Sequence, residues 1–464
     1  MAGDDSRLEQ DEQQQEMEPV TEKAQLVAWL EAGSTEKEDW RIGTEHEKFL
    51  FRLDDFSRPA HDGPDGVAAL LQKLAESHGW QPIMEGEAII GIRDSSGGQI
   101  TLEPGGQLEL SGAPLRSLHE TCRETNLHLQ VMKEATAPLG LGMLGLGFDP
   151  RWTRQEIPWM PKGRYTIMGN YMPKVGNLGL DMMLRSCTIQ VNLDFSDEAD
   201  MVRKFRTSLA LQPVATALFA NSPFREGGPS GLVSTRAETW TDTDPDRCGV
   251  PSCVFEEGFG FERWADYILD VPMYFIHRGD AYLDVAGLSF RDFMAGRLPG
   301  YEGQYPRLED WEDHVTTAFP EVRLKRYLEM RGADGGPWGM ICALPALWCG
   351  LLYDEQALDE AAVLAKGIDA EAVLAGRLSA AHEGLRGQLA GRPMAELAAA
   401  MLKISHGGLQ RRGLLDSLGD DETHFLRPLQ HIVDSGITQA DALLNRYHSA
   451  WGQSIAPVYN ELQY

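Results

Sequence analysis

The chain has 464 residues, 42% of them hydrophobic, and a formal net charge of -28 at pH 7. Its length and apolar content are sufficient for a large buried core, in one big domain or two. The negative charge argues against a surface for nucleic acid or for an anionic membrane, since both need positive potential. No uninterrupted apolar run reaches the roughly 18 residues of a transmembrane helix, so we expect no membrane span.

Residues 1–20 are acidic and rich in glutamine. This composition is the reverse of a basic signal or transit peptide, and it is typical of a disordered tail. We therefore expect residues 21–464 to form a single catalytic domain of a cytoplasmic protein. Six cysteines without a CxxC pair also agree with a reducing compartment rather than with a disulfide scaffold or a zinc framework.

The predicted elements mix helices and strands without a regular repeat, which favours an α+β architecture with an antiparallel sheet. In chain order they are a capped helix at 21–33, a strand at 41–51, a helix at 66–80, two short strands around a Pro-Gly-Gly turn at 97–112, an amphipathic helix at 115–139, a strand at 185–196, a helix at 198–223, a strand at 321–336 and a mainly helical flank at 355–464. Residues 224–247 are rich in Gly and Pro and too long for a tight turn, so they predict a functional loop.

Four of these strands share an unusual polar face. Because side chains alternate along a strand, Glu45 and Glu47 point to the same side. The corresponding faces of the other strands carry Gln107, Glu109 and Ser111; Thr188, Gln190, Asn192 and Asp194; and Arg323, Lys325, Tyr327, Glu329 and Arg331. Any one of these faces could simply be turned to water. Four faces with the same carboxylate, carboxamide and guanidinium groups predict a lined trough.

The chemistry of this trough indicates phosphoryl transfer. Carboxylate and carboxamide oxygens are hard ligands that suit Mg²⁺ or Mn²⁺. Arginines beside them suit phosphate and carboxylate groups. A divalent cation would also invert the local field of the carboxylates, so that an anionic nucleotide could bind in a negatively charged protein.

The chain resembles the plant-type glutamate-cysteine ligases, a class found in plants and many bacteria. The resemblance is carried by long stretches such as "RIGTEHEKFLF", "GGQLELSGAPLRSLHET", "VRLKRYLEMRGADGGPW" and "CALPALWCGLLY", and it covers essentially everything after the acidic tail. It implies a glutamine-synthetase-like fold, in which an antiparallel sheet forms a funnel around the active site.

The resemblance also implies the reaction, the partners and the cofactors. ATP phosphorylates the γ-carboxylate of L-glutamate, and the amino group of L-cysteine attacks the acyl phosphate to give γ-glutamylcysteine, the first step of glutathione synthesis. The implied cofactor is Mg²⁺, with Mn²⁺ as the alternative, and the partners are the three small-molecule substrates. The oligomeric state stays open between monomer and homodimer.

Individual residues receive roles from the same resemblance. Arg331 is expected to hold the γ-phosphate as charge moves, and Glu329 to bind the metal between the ATP phosphates. The implied metal ligands are Glu45, Glu47, Glu109 and Glu329; the implied ATP-binding residues are Gln190, Asn192 and Arg331; and the implied amino-acid pocket contains Arg236, Arg164 and Tyr165, with Arg236 on the glutamate α-carboxylate.

The cysteines raise the question of whether the chain contains a disulfide bond. Cys122 and Cys342 match one pair that forms a disulfide in some plant enzymes, whereas Val285 and Gly300 stand where those enzymes carry another pair. We expect all six cysteines to be buried, reduced thiols.

Three alternative functions stay open. They are a ligase of the same fold with a different amine acceptor, a metal-dependent hydrolase using Glu45 and Glu47, and a non-catalytic descendant.

Overall fold

The computed structural model describes residues 18–279 and 281–464. The predicted tail at 1–20 lies outside these residues except for its last three, of which Val20 is buried. Within the described residues, no helix is both long and apolar enough to cross a membrane.

A nine-stranded antiparallel sheet is the centre of the fold. The strands of the chain are β1 Ile42–Arg52, β2 Gln81–Glu85, β3 Ala88–Arg93, β4 Gln99–Leu102, β5 Gln107–Ser111, β6 Leu141–Leu144, β7 Thr188–Leu193, β8 Phe224–Arg225, β9 Gly228–Pro229, β10 Cys248–Gly249, β11 Phe275–Arg278, β12 Ala281–Asp284, β13 Phe319–Pro320, β14 Val322–Leu324, β15 Leu328–Asp334, β16 Gln388–Leu389 and β17 Arg392–Pro393. The order of the central sheet is β14-β15-β7-β1-β5-β4-β3-β2, and β6 pairs with the second half of β1.

Helices surround this sheet and form the whole layer after residue 355 apart from the β16–β17 hairpin. The α-helices are α1 Lys23–Glu31, α2 Val67–His78, α3 Leu118–Thr136, α4 Gly163–Tyr171, α5 Gly179–Arg185, α6 Glu198–Leu218, α7 Thr235–Thr239, α8 Phe261–Asp270, α9 Phe290–Met294, α10 Leu308–Thr316, α11 Trp338–Leu352, α12 Glu355–Ala365, α13 Ala370–Glu383, α14 Met394–Arg412, α15 Arg427–Ser435, α16 Gln439–His448 and α17 Ala456–Glu461.

The main core lies on one face of the sheet. Strand β7 shows the division, because Ile189, Val191 and Leu193 are fully buried in that core while Gln190 and Asn192 point to the other face. Helices α6 and α11 contribute much of the apolar filling. The opposite face of the central strands is therefore left to line a cavity.

The predicted strand at 321–336 is in fact a hairpin. Strands β14 and β15 are antiparallel, and Arg323 lies opposite Glu329. The three residues Lys325, Arg326 and Tyr327 form the turn. A turn with an odd number of residues preserves the alternation of faces, so the polar face survives although the single strand does not. The turn could not be predicted from the sequence, because it contains no Gly, Pro, Asn or Asp.

The predicted loop at 224–247 contains regular structure of its own. It forms the β8–β9 hairpin and the short helix α7. The Ser234 side chain caps α7 by accepting a hydrogen bond from the backbone N–H of Ala237. As a result Arg236 lies on a helix rather than on a loop.

A disulfide bond joins Cys122 of α3 to Cys342 of α11, with the two Cα atoms 5.5 Å apart. The other four cysteines are free, and Cys248 is partly exposed. The expectation of six buried, reduced thiols is therefore wrong. Helix periodicity places each cysteine on a buried face, but only the three-dimensional packing of α3 on α11 brings the two sulfur atoms together.

Candidate active site

A cavity of about 260 Å³ lies over the polar face of the central strands. Its walls combine opposite charges on strands and on flanking helices. The charged residues that line it are Glu45, Glu47, Glu103, Glu109, Arg164, Arg236, Arg323, Lys325 and Arg331. The predicted trough is therefore a real concave site, and most of the predicted site residues meet in it.

Strand register brings the predicted residues together in cross-strand pairs. Glu47 lies opposite Glu109 and Glu45 lies opposite Gln190. On the next strand pair Asn192 lies opposite Glu329. Side chains directly opposite each other in an antiparallel pair have Cβ atoms about 4.5–5.5 Å apart, so the two pairs that line the cavity, Glu47 with Glu109 and Glu45 with Gln190, can each act on one ligand group.

Three glutamates form the acidic wall of the cavity. Glu45 Oε1 accepts from Asn192 Nδ2 at 2.8 Å, and Glu47 Oε2 accepts from the Thr188 backbone N–H at 3.0 Å. Burial raises the pKa of both carboxyls, and the charges of Glu329 and Glu109, respectively, raise them further. Burial and the charge of Glu103 raise the pKa of Glu109 to about 7. These carboxylates thus lack a sufficient positive partner of their own.

Glu329, in contrast, is surrounded by cations. Its two carboxylate oxygens accept from Arg323 Nε at 2.6 Å and from Arg323 Nη2 at 3.1 Å, and Arg331 Nη1 lies 3.2 Å away. Burial raises the pKa of Glu329, but the charges of Arg323, Lys325 and Arg331 outweigh burial and hold the pKa well below its usual value. Glu329 is fully buried behind these residues and does not line the cavity itself.

Arg331 is positioned by an irregularity in the sheet. Between Met330 and Ala333, β15 has one residue more than β7, which is a β-bulge. Arg331 lies in this bulge and donates from Nη1 to Gln190 Oε1 at 2.6 Å. The bulge also frees the Arg331 carbonyl oxygen, which accepts from Arg236 Nη2 at 2.8 Å.

The remaining predicted residues that line the cavity lie on helices α4 and α7. Arg236 is 4% exposed, and burial lowers the pKa of its guanidinium. Arg164 and Tyr165 lie in the first turn of α4, and the Tyr165 hydroxyl donates to the Leu102 carbonyl at 2.5 Å. Tyr165 is therefore fixed against the end of β4.

The donor set fits a divalent cation that is shared with a ligand. Among the described residues, no three His, Cys, Asp or Glu side chains converge to hold an ion by themselves. Mg²⁺ commonly takes only one or two protein carboxylates and completes its shell with phosphate oxygens and water. The Glu47–Glu109 pair and the neighbouring Glu45 could hold an ion in this way.

A family model described as "Glutamate-cysteine ligase family 2 (GCS2)" matches residues 41–461. The chain belongs to this family. The chloroplastic glutamate–cysteine ligase of Solanum lycopersicum is 53% identical over 447 residues, which are 96% of this chain and 83% of that one. Glutamate–cysteine ligase B of Oryza sativa subsp. japonica, also chloroplastic, is 53% identical over 96% of this chain and 88% of its own.

A solved structure shows the same fold. The glutamate–cysteine ligase of Francisella tularensis in complex with AMP superposes with a TM-score of 0.53 at 11% identity, over 88% of this chain and 85% of that one. This confirms the predicted α+β, glutamine-synthetase-like fold class, and the family match confirms the resemblance drawn from the sequence.

The prediction of a cytoplasmic protein is wrong. The relatives from Solanum lycopersicum and Oryza sativa are named as chloroplastic enzymes. The prediction depended on the acidic residues 1–20 and on the number of cysteines. Neither the acidity of these residues nor the number of cysteines determines the compartment of a protein.

Three lining residues of this ligase-family cavity were not assigned a role from the sequence. Arg323 and Lys325 belong to the polar face of the predicted fourth strand, and that alternation was the signal that could have identified them. Glu103 comes just before the Pro-Gly-Gly turn between β4 and β5. A turn residue has no face to predict, so only the folded chain shows that Glu103 points into the cavity.

Proposed function

We propose that the chain is an ATP-dependent glutamate–cysteine ligase that forms γ-glutamylcysteine through a γ-glutamyl phosphate. The observation that carries this proposal is the convergence of four glutamates and five cationic side chains in one cavity of a chain from this family. Such a cavity can bind anionic substrates and stabilise charge as it moves between them.

Glu45, Glu47 and Glu109 hold the divalent cation in this proposal, with Mg²⁺ as the expected ion and Mn²⁺ as the alternative. The raised pKa values of these buried carboxyls support this role, because a positive partner would stabilise their charged form. The ion would neutralise charge on the phosphate oxygens and so make the γ-phosphorus easier to attack.

Arg331, Arg323 and Lys325 bind the phosphate groups. They now share Glu329 as their counter-ion. When these cations turn toward phosphate, Glu329 becomes free to act as a metal ligand, which is the role that the family resemblance implies for it. Gln190 and Asn192 contribute to nucleotide binding by orienting Arg331 and Glu45, which they contact directly.

Arg236 holds the α-carboxylate of glutamate, and Arg164 and Tyr165 line the amino-acid pocket. A buried guanidinium suits a carboxylate because it can donate two parallel hydrogen bonds. Arg236 is suited to this task since Nη2 is already fixed on the Arg331 carbonyl and the Nε atom has no partner.

The chemistry requires two displacements. The γ-carboxylate oxygen of glutamate forms a bond to the γ-phosphorus of ATP, and ADP leaves with the electron pair of the broken P–O bond. The ammonium group of cysteine loses a proton, the resulting amine attacks the acyl carbon, and phosphate leaves while the nitrogen gives up a second proton to form the amide. The cationic wall stabilises the charge that develops on phosphate oxygens in both steps.

The measurement that tests this function is phosphate release from ATP with L-glutamate and a panel of amines. We expect release to require glutamate and Mg²⁺ and to be stimulated most strongly by L-cysteine, with γ-glutamylcysteine as the product. Release stimulated equally by another amine would support the alternative acceptor. Release of phosphate without glutamate would contradict a ligase. A hydrolase is disfavoured because no histidine of the described residues lines the cavity.

A further inference from the structure

We propose that Asp334 is the positioning residue that sets the place and direction of Arg236, and through it the affinity for glutamate. Asp334 is the last residue of β15, is 2% exposed and does not line the cavity. It therefore acts on the substrate through Arg236. The inference rests on the proposed role of Arg236 as the glutamate-binding residue.

The Asp334 carboxylate accepts three hydrogen bonds from residues that precede α7 in the chain. Oδ1 accepts from Ser234 Oγ at 2.8 Å. Oδ2 accepts from Ser222 Oγ at 2.6 Å and from the Asn221 backbone N–H at 2.9 Å. Both serine hydroxyls thus point their protons at Asp334, which leaves their oxygen lone pairs for other donors.

Those lone pairs hold the start of α7. Ser234 Oγ accepts from the Ala237 backbone N–H at 3.1 Å, and Ser222 Oγ accepts from the Arg236 backbone N–H at 3.2 Å. A helix of five residues is too short to be stable by its own hydrogen bonds. The position of Arg236 therefore depends on the two serines, and the orientation of both hydroxyls depends on one carboxylate.

The same strand fixes the other end of the Arg236 side chain. Arg236 Nη2 donates to the carbonyl of Arg331, three residues before Asp334 on β15. Burial lowers the pKa of the Arg236 guanidinium, and among the negative charges that oppose this decrease the charge of Asp334 has the largest effect. Backbone, side-chain direction and charge of Arg236 are thus all set from one segment of β15.

The test is a double-mutant cycle with Asp334→Asn and Arg236→Ala. Asn keeps the shape of the side chain but removes the charge and one acceptor oxygen. We expect Asp334→Asn to raise the KM for glutamate about tenfold, with kcat changed less than about threefold and the KM for ATP unchanged, because uniform binding of one substrate is lost. Arg236→Ala should raise the same KM by roughly 30-fold or more, since it removes a charge-assisted pair.

The double variant should match Arg236→Ala within about twofold, because residues that act through one another give non-additive effects. Multiplication of the two single effects would overturn the inference, as would an unchanged glutamate KM in Asp334→Asn. If Arg236→Ala leaves the glutamate KM unchanged, the proposed role of Arg236 fails, and the role of Asp334 fails with it. The proposed ligase function is tested separately on the unaltered protein, and it fails if cysteine does not stimulate phosphate release there.

Two further variants separate positioning from stability. Gly147→Ala keeps the Asp334 charge, but the added methyl group would clash with the Asp334 side chain and displace its carboxylate. This variant should therefore also raise the glutamate KM. Glu422→Gln is the matched control, because Glu422 is a fully buried carboxylate paired with Arg412 in the helical layer. It should lower the melting temperature without changing the glutamate KM. A similar KM change in Glu422→Gln would show a general effect of stability and overturn the inference.

Discussion

Glu45 and Glu47 show how burial prepares a carboxylate for a cation. Each accepts one hydrogen bond from β7, which fixes the carboxylate, and on the pKa of each the charge of a neighbouring glutamate acts more strongly than the nearest cation, Lys325 or Arg236. Glu329 has the opposite environment, with three cations around it. Two kinds of glutamate therefore lie on the same sheet face, one in need of positive charge and one that supplies negative charge.

Replacing Glu45 by Gln should reduce kcat by about 100-fold or more, since loss of one group that stabilises transferring charge commonly costs that much. The measurement is phosphate release at saturating ATP, glutamate and cysteine over a series of Mg²⁺ concentrations. Glu124→Gln is the control, because Glu124 also has a pKa raised by burial, to about 7, but lies outside this cavity. Near-normal turnover of Glu45→Gln would contradict the metal-site assignment.

At the residue scale, the sequence was informative where side-chain alternation applies. It placed Glu45, Glu47, Glu109 and Gln190 on one surface, and all four line the cavity. The pairing of Arg323 with Glu329 could not be predicted, because it depends on a turn without the usual turn residues. The contact of Arg236 with the Arg331 carbonyl depends on a bulge that alternation cannot reveal.

Among the elements, α11 and α14 show how closely two helices can approach. The backbones meet at Gly350 and Gly408, where a Cβ on Gly408 would overlap the Gly350 carbonyl oxygen. The neighbouring Gly407 has no such restriction, because a Cβ there would meet only the end of the Arg411 side chain at 3.3 Å. The crossing of these helices therefore depends on one glycine of the Gly-Gly pair.

Gly408→Ala should destabilise the protein by about 1–3 kcal/mol, because an added methyl group in a tightly packed contact forces the helices apart. Gly407→Ala should be neutral or stabilising by up to about 1 kcal/mol, since alanine is the better helix former. Chemical denaturation of the two variants measures the difference. Equal stability would contradict the close contact of α11 with α14.

For the molecule as a whole, the Cys122–Cys342 bond connects distant parts of the chain. It joins α3, which follows the β4–β5 hairpin, to α11 within the main core, across a sequence separation of 220 residues. A crosslink over so long a segment restricts the unfolded chain strongly. Helices α3 and α11, which lie far apart in the sequence, are therefore covalently connected.

Cys122→Ser should lower the stability of the oxidised protein by about 2–5 kcal/mol, the usual contribution of a native disulfide. Thermal unfolding with and without a reductant is the measurement. Reductant should lower the melting temperature of the unaltered protein and of a Cys253→Ser control, in which a free buried thiol is replaced. It should leave Cys122→Ser unchanged; a melting temperature of the unaltered protein that does not respond to reductant would show that the bond does not form.

The charge of the cavity has a consequence for the rate at which substrates arrive. Five cationic side chains and four carboxylates line a cavity within a protein of net charge -28. An approaching ATP anion meets the repulsion of the whole molecule first and the attraction of the cavity only at short range. Salt screens charges over about 10 Å at 0.1 M, so it weakens the repulsion more than the attraction. The second-order rate constant kcat/KM for ATP should therefore rise roughly twofold between about 0.01 and 0.1 M salt, and a fall over this range would show that the cavity attracts ATP from a distance.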